Sequence, residues 1–128
     1  MKPVRVQLSR AKGWRMPPNA VKVDRTTVFG NPFFICAGTM HGGGKPPETG
    51  YFVDGSLHLF KTREEAQRAS VATFADWMRQ WPQHKLLTAA QHALHGKSLA
   101  CWCKLPKPGE PDLCHAAVLL RLVNDGAP

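Results

Sequence analysis

Two stretches decide the fold: Leu99-Ala-Cys-Trp-Cys-Lys104 and Asp112-Leu-Cys-His-Ala-Ala-Val-Leu-Leu120. The first is a short, mainly apolar run that predicts a buried strand, and the second predicts a helix that begins at Cys114 and His115. A loop rich in proline and glycine joins them. In α/β proteins, ligands and anions bind where the carboxyl end of a strand faces the amino end of the next helix. We therefore expect a binding site at this junction.

The remaining elements are predicted from hydrophobic periodicity and turn residues. Alternation of apolar and polar residues predicts strands over 4–8, 20–25 and 33–37, and the dipeptide Asp54-Gly55 predicts a hairpin over 51–60. Helices are predicted from the capping box Thr62-x-x-Glu65 onward, over 86–94 and over 114–124. Residues 38–50 contain five glycines and two prolines and are predicted to form a flexible loop, and residues 125–128 a tail.

Length and composition indicate the class of protein. A chain of 128 residues with 43% hydrophobic and 20% charged residues is typical of one globular domain, here residues 1–128. The element order predicts a small α/β domain, Rossmann-like, with a sheet flanked by helices and a β-rich N-terminal part. Neither a transmembrane run nor a secretory leader is visible in the sequence, so we expect a cytoplasmic protein without a membrane partner.

Positive charge is concentrated near the N-terminus. The net charge is +8, and residues 1–25 contain seven basic residues against a single acidic one, Asp24. This distribution favours an anionic partner such as a nucleic acid, a nucleotide or a phosphate. A basic segment that only keeps the protein soluble is the alternative.

The cysteines and His115 are the candidates for chemistry. Cys101, Cys103, Cys114 and His115 are four possible zinc ligands, although adjacent residues of a helix diverge by about 100° and Cys114 and His115 therefore fit one metal poorly. Buried thiols are a second interpretation. In a third, His115 or Cys103 acts as an acid, base or nucleophile at a catalytic site. A disulfide between Cys101 and Cys103 would be strained, so thiols or metal ligands are expected.

A second candidate site is the segment Gly30-Asn31-Pro32, together with Arg25. The Asn31 amide both donates and accepts hydrogen bonds, so it could orient a substrate at a catalytic site. Alternatively, Asn31 bonds its own backbone in a structural turn. Arg25 would then bind a phosphate or carboxylate.

Further ligand contacts are expected from cationic and aromatic side chains. Lys104 and Lys107 follow the strand of the first stretch and would assist Arg25 in binding an anion. Trp14 and Trp102 could stack on a base. Trp102 lies within the predicted strand, however, and is expected to be part of the core.

The order of these motifs resembles the DUF4326 family, an uncharacterised family common in bacteriophages and bacteria. The resemblance runs from about residue 14 to residue 124 and depends on Arg25, Phe29-Gly-Asn-Pro-Phe33, Cys101-Trp-Cys103 and Cys114-His115. Related sequences have tryptophan where this chain has Phe29, and a shorter loop than residues 104–113. The resemblance implies an α/β fold and a phage context, and it implies no reaction.

These observations predict a phage-type protein that binds a nucleotide, a nucleoside or a nucleic acid at the carboxyl ends of its strands. Glycosyl or group transfer on such a ligand is the reaction class that suits a basic, polar cleft. One alternative is a zinc-stabilised nucleic-acid-binding module. The other is a non-catalytic phage protein that binds a host factor.

Overall fold

A computed structural model of the chain describes residues 3–80 and 84–124. Within these residues the elements follow in the order β1 (Arg5–Gln7), β2 (Ala20–Lys22), β3 (Ile35–Gly42), β4 (Lys45–Val53), α1 (Arg63–Arg79), α2 (His84–Leu94), β5 (Ser98–Cys101) and α3 (His115–Asn124). The predicted tail at 125–128 lies outside the described residues.

A parallel sheet of three strands is the centre of the fold. Its order is β1-β5-β2, with Arg5 opposite Leu99 and Ala20 opposite Ser98. Leu99 and Ala100 of the central strand are fully buried, and α3 packs against this strand and against α2. The predicted α/β class, a small parallel sheet flanked by helices and loosely Rossmann-like, is confirmed.

Local signals account for the helices. The Thr62 side chain accepts a hydrogen bond from the Glu65 backbone N–H at 3.1 Å, as the capping box predicts. Helix α1 then buries a residue at every fourth position, which packs one face onto the core; these are Ala66, Ser70, Phe74 and Met78. Helix α2 ends before Gly96, which takes a left-handed φ of 75°.

The segment 38–50 is a β-hairpin where a loop was predicted. Strands β3 and β4 pair antiparallel from Ile35–Val53 to Gly42–Lys45. The turn consists of Gly43 and Gly44 with φ of 62° and 67°, which is the backbone of a type I′ turn. The glycines therefore supply the turn of an extended ribbon, and the cross-strand pairs order the polar residues on either side of it.

The hairpin predicted over 51–60 is largely replaced by this ribbon. Tyr51, Phe52 and Val53 pair with β3 along one edge, and at the other edge Tyr51 exchanges two hydrogen bonds with Phe60. The remnant of the predicted hairpin is a single antiparallel bridge between Tyr51 and Phe60. None of the helices in 3–80 and 84–124 is long and apolar enough to cross a membrane.

Candidate functional site

A cleft of about 790 Å³ opens at the carboxyl ends of β2 and β5, beside the amino end of α3. It brings together nine residues that the sequence singled out: Arg25, Asn31, Cys101, Trp102, Cys103, Lys104, Lys107, Cys114 and His115. Gly30 and Pro32 flank Asn31 without lining the cleft, and Trp14 lies in the loop between β1 and β2, away from it. Most of the residues predicted from distant parts of the chain thus share one cavity.

Three cysteines converge on the floor of the cleft. The sulfur atoms of Cys101, Cys103 and Cys114 all lie within 4.8 Å of one another, and those of Cys101 and Cys103 are 3.9 Å apart. Cys101 and Cys114 are buried, whereas Cys103 is half-buried. The fourth cysteine, Cys36, is exposed on β3. A donor set for a soft metal ion is therefore present, and it consists of thiols alone.

The three thiols perturb one another's ionisation. Hydrogen bonds with Cys103 and Cys114 lower the pKa of Cys101 well below the usual value, although burial opposes this effect. The hydrogen bond with Cys101 raises the pKa of Cys103, and hydrogen bonds with both neighbours raise that of Cys114. The first negative charge of the cluster is therefore stabilised on Cys101 by two neighbouring thiols.

His115 lies beside the sulfur cluster and is not part of the group of ligand atoms within 4.8 Å, so its role as a zinc ligand stays a prediction. Its Nε2 atom is 2.6 Å from the Val23 carbonyl oxygen and therefore donates a hydrogen bond to it. Its Nδ1 atom is 3.9 Å from the Cys114 sulfur, and its ring packs edge-on against Phe74. The imidazole thus ties α3 to the end of β2, and its Nδ1 atom faces the Cys114 thiol.

Asn31 is held in a structural turn, the alternative considered for it from the sequence. Its side-chain oxygen accepts a hydrogen bond from the Phe33 backbone N–H at 2.9 Å, and its amide nitrogen donates to the Ser70 hydroxyl at 3.0 Å. Ser70 in turn donates to the Phe33 carbonyl. These bonds fasten the turn to α1 and orient the Asn31 side chain at the wall of the cleft.

Arg5 holds the loop that forms one side of the cleft, a role that was not predicted from the sequence. The Arg5 side chain is 4% exposed and ion-paired with Asp112. It also donates to the carbonyl oxygens of Cys103 and Lys104 at 2.8 Å and 2.7 Å. The Gln7 side-chain oxygen accepts a further hydrogen bond, from the Leu105 backbone N–H at 3.1 Å. Strand β1 therefore holds both ends of the segment between Cys103 and Asp112.

Trp102 and Asp24 form the opposite wall. Trp102 is 40% exposed, so its expected place in the core is wrong: β5 ends one residue earlier, at Cys101, and the ring lies at the cleft. Its indole N–H donates to Asp24 at 2.8 Å, and the Arg10 guanidinium lies 4.7 Å from the centre of the ring. The ring is therefore accessible yet fixed in orientation.

The Asp24 carboxyl is buried, and its hydrogen bonds keep it ionised. Burial raises its pKa. Hydrogen bonds from the Thr26 hydroxyl and N–H and from Trp102, together with the charge of Lys22, lower the pKa by more than burial raises it, so the net shift is downward. A folded-state pKa below the unfolded value gives stability that is present above about pH 4 and is lost as the pH falls through the folded pKa.

We therefore expect Asp24→Asn to flatten the acid limb of the stability curve. The free energy of unfolding of the wild-type protein should decrease below about pH 4, and that of Asp24→Asn should decrease less steeply there. Urea unfolding at a series of pH values measures both slopes. Asp76→Asn, which removes an exposed carboxylate next to Arg79, is the control and should keep the wild-type slope. Equal slopes for wild type and Asp24→Asn would contradict the assignment.

Four cationic side chains line the cleft: Arg25, Arg63, Lys104 and Lys107. Among the described residues, no carboxylate lies within ion-pair distance of any of them. Arg63 was not singled out from the sequence. It could have been found from its position as the first residue of the helix that the capping box begins. The cleft therefore combines unpaired positive charge with a thiol cluster and an accessible indole.

Comparison with known proteins bears on the family. Searches of curated proteins and of solved structures found no match. A family model described as a domain of unknown function, DUF4326, matches residues 6–125. This range contains both sides of the cleft and all three clustered cysteines, and it confirms the resemblance inferred from the order of the motifs. The chain is a member of the DUF4326 family.

Proposed function

We propose that the cleft binds a nucleotide or a related phosphate-bearing nucleoside. The observation that carries this proposal is the set of four unpaired cations around a cavity at the carboxyl ends of parallel strands. This edge of an α/β sheet is where such ligands bind in general. A volume of about 790 Å³ is also within the range of small-molecule sites.

The charges and the indole favour different parts of one ligand. Arg25 and Arg63 offer guanidinium groups, which bind phosphate oxygens through paired hydrogen bonds. Lys104 and Lys107 add positive charge from the loop that Arg5 fixes. Trp102 supplies an aromatic surface of the kind on which bases stack. A ligand with both a phosphate and a base uses all of these groups.

If the protein is an enzyme, the cleft suits group transfer on the bound nucleotide. The thiol cluster is its source of a nucleophile, since all three thiols line the cavity and the pKa of Cys101 is lowered. Asn31 and His115 support this proposal as positioning residues, because both are held by hydrogen bonds to neighbouring segments. The experiment below tests binding, which any such reaction requires.

A nucleic-acid partner is the second candidate, and the basic N-terminal segment favours it. Within that segment, Arg5 is buried in an ion pair and Lys22 lies 3.5 Å from the Asp24 carboxylate. Arg10, Lys12 and Arg15 remain exposed in the loop after β1. The positive charge available for a long polyanion is therefore smaller than the sequence suggested, and we favour the compact ligand.

Calorimetric titration of the full chain tests the proposal. The ligands are nucleoside mono-, di- and triphosphates, free nucleosides, inorganic phosphate and a single-stranded oligonucleotide. We expect a nucleotide to bind more tightly than its nucleoside or inorganic phosphate. Arg25→Ala and Lys104→Ala should each weaken that binding by about 10-fold, because each removes a charge-assisted contact. Arg68→Ala, which removes an exposed cation paired with Glu64, is the matched control and should leave binding unchanged.

The contribution of base stacking is tested at Trp102. Both Trp102→Phe and Trp102→Leu remove the bond to Asp24, so the difference between them measures the aromatic surface. We expect Trp102→Leu to bind the nucleotide about 10-fold more weakly than Trp102→Phe, with equal affinity of both for inorganic phosphate. Binding of the oligonucleotide alone, or affinities that Arg25→Ala and Lys104→Ala do not change, would overturn the proposal.

A further inference from the structure

The thiol cluster has the geometry of a mononuclear metal site. A tetrahedral zinc ion with Zn–S bonds of about 2.3 Å separates its sulfur ligands by about 3.8 Å. The sulfurs of Cys101 and Cys103 are 3.9 Å apart, and all three sulfurs lie within 4.8 Å of one another. A [4Fe–4S] cluster attaches its cysteines to separate iron atoms, and a [2Fe–2S] cluster divides them between two, so both spread three cysteines more widely. The spacing favours a single ion.

The surrounding chain places the three thiols from separate segments. Cys101 ends the central strand β5, and the carbonyl of Cys103 is held by the buried Arg5 guanidinium. Cys114 immediately precedes α3, and its carbonyl accepts the Ala117 N–H at 3.1 Å, so its sulfur lies at the positive end of a helix of ten residues. A helix N-terminus and a nearby guanidinium both stabilise thiolate charge. The cluster is thus preorganised by contacts that do not involve a metal.

The fourth ligand position is not supplied by the described part of the chain. The group of ligand atoms within 4.8 Å comprises the three sulfurs. His115 is outside it, because its Nδ1 atom is 3.9 Å from the Cys114 sulfur but farther than 4.8 Å from at least one other sulfur. All three cysteines line the cleft. An ion held by them would therefore face the cavity with one position free, and three protein ligands with one open position are the arrangement of catalytic rather than structural zinc sites.

We propose that Cys101, Cys103 and Cys114 bind one Zn²⁺ ion whose fourth coordination position opens into the cleft. The ion would complete the cleft by adding a Lewis acid to a floor that otherwise carries thiols. This inference stands apart from nucleotide binding, because metal binding by the cluster requires no nucleotide. It replaces the thiols as the source of a nucleophile, because a bound ion would occupy all three of them.

Titration of the reduced full-length protein with Co²⁺, followed by displacement with Zn²⁺, tests the site. We expect the sulfur-to-cobalt charge-transfer band and the visible bands of tetrahedral Co²⁺ at one ion per chain. An exogenous thiol should strengthen the charge-transfer band by entering the open position. Bands that match four thiolates before any thiol is added would contradict the open position.

Single substitutions identify the ligands. Cys101→Ser, Cys103→Ser and Cys114→Ser should each weaken Zn²⁺ binding on the order of 100-fold or more. Cys36→Ser, which removes the exposed cysteine of β3, and His115→Gln should keep the cobalt spectrum. Because Cys101 and Cys114 belong to the core, Cys103→Ser is the variant with the smallest effect on folding, and circular dichroism checks each protein.

Alkylation of the wild-type protein gives a readout that needs no variant. Zn²⁺ should protect the half-buried Cys103 from alkylation and leave the exposed Cys36 reactive, as measured by peptide mass spectrometry. Reduced protein that shows no cobalt bands and no protection by Zn²⁺ would overturn the proposal, and the cluster would then be three core thiols. A stable disulfide within the cluster of the protein as purified, with no metal bound after reduction, would overturn it as well.

Discussion

Arg5→Ala should lower the free energy of unfolding by about 3 kcal/mol, an effect typical of breaking a buried ion pair. The substitution leaves the Asp112 carboxylate without its cation, and one oxygen of that carboxylate already has no hydrogen-bond partner. It also leaves the carbonyl oxygens of Cys103 and Lys104 without the donors that hold them. Urea unfolding followed by circular dichroism measures the loss.

Arg68→Ala is the matched control for this prediction. Arg68 is also ion-paired, with Glu64 at 3.1 Å, but its side chain is 54% exposed. An exposed pair of this kind contributes about 0.5 kcal/mol or less. If Arg5→Ala were no more destabilising than Arg68→Ala, the contacts of Arg5 would not hold the loop between Cys103 and Asp112. We also expect Arg5→Ala to weaken both Co²⁺ and nucleotide binding, because that loop carries Cys103 and Lys104.

The parts of the fold that the sequence predicted correctly depend on short-range signals. The capping box starts α1 at Arg63, and Gly96 ends α2, because each acts through a hydrogen bond or a φ value within a few residues. The apolar run that ends at Cys101 predicts a buried strand whichever strands it pairs with. The hairpin between Ile35 and Val53 was missed, since its glycines and prolines are typical of loops and its cross-strand pairs leave no local pattern.

The location of the candidate cleft could be predicted from the sequence, but most of the hydrogen bonds and ion pairs that hold its side chains could not. The junction of β5 and α3 could be located from the sequence because parallel sheets bind ligands at this edge. The bonding partners of the side chains at this junction could not be predicted. Arg5 and Asp112 are 107 residues apart in the sequence, and His115 and Val23 are 92 apart. Arg5 was counted as part of a basic segment, although the fold buries it. Such pairings follow from strand order, which no single stretch of the sequence determines.

Gly30→Ala is expected to destabilise the protein by about 1–3 kcal/mol and to weaken nucleotide binding. An added Cβ would lie 2.5 Å from the Asp24 carbonyl oxygen and 2.6 Å from the Arg25 Cα, and neither backbone atom can rotate away. Thermal unfolding and calorimetric titration measure the two effects. Gly38→Ala is the control, because its Cβ would meet the movable Phe52 ring instead, and it should be the milder change and leave binding intact. Since Gly30 itself does not line the cleft, weaker binding would report a displaced Arg25 wall rather than a lost contact. Wild-type stability and affinity in Gly30→Ala would show that this wall does not position the ligand.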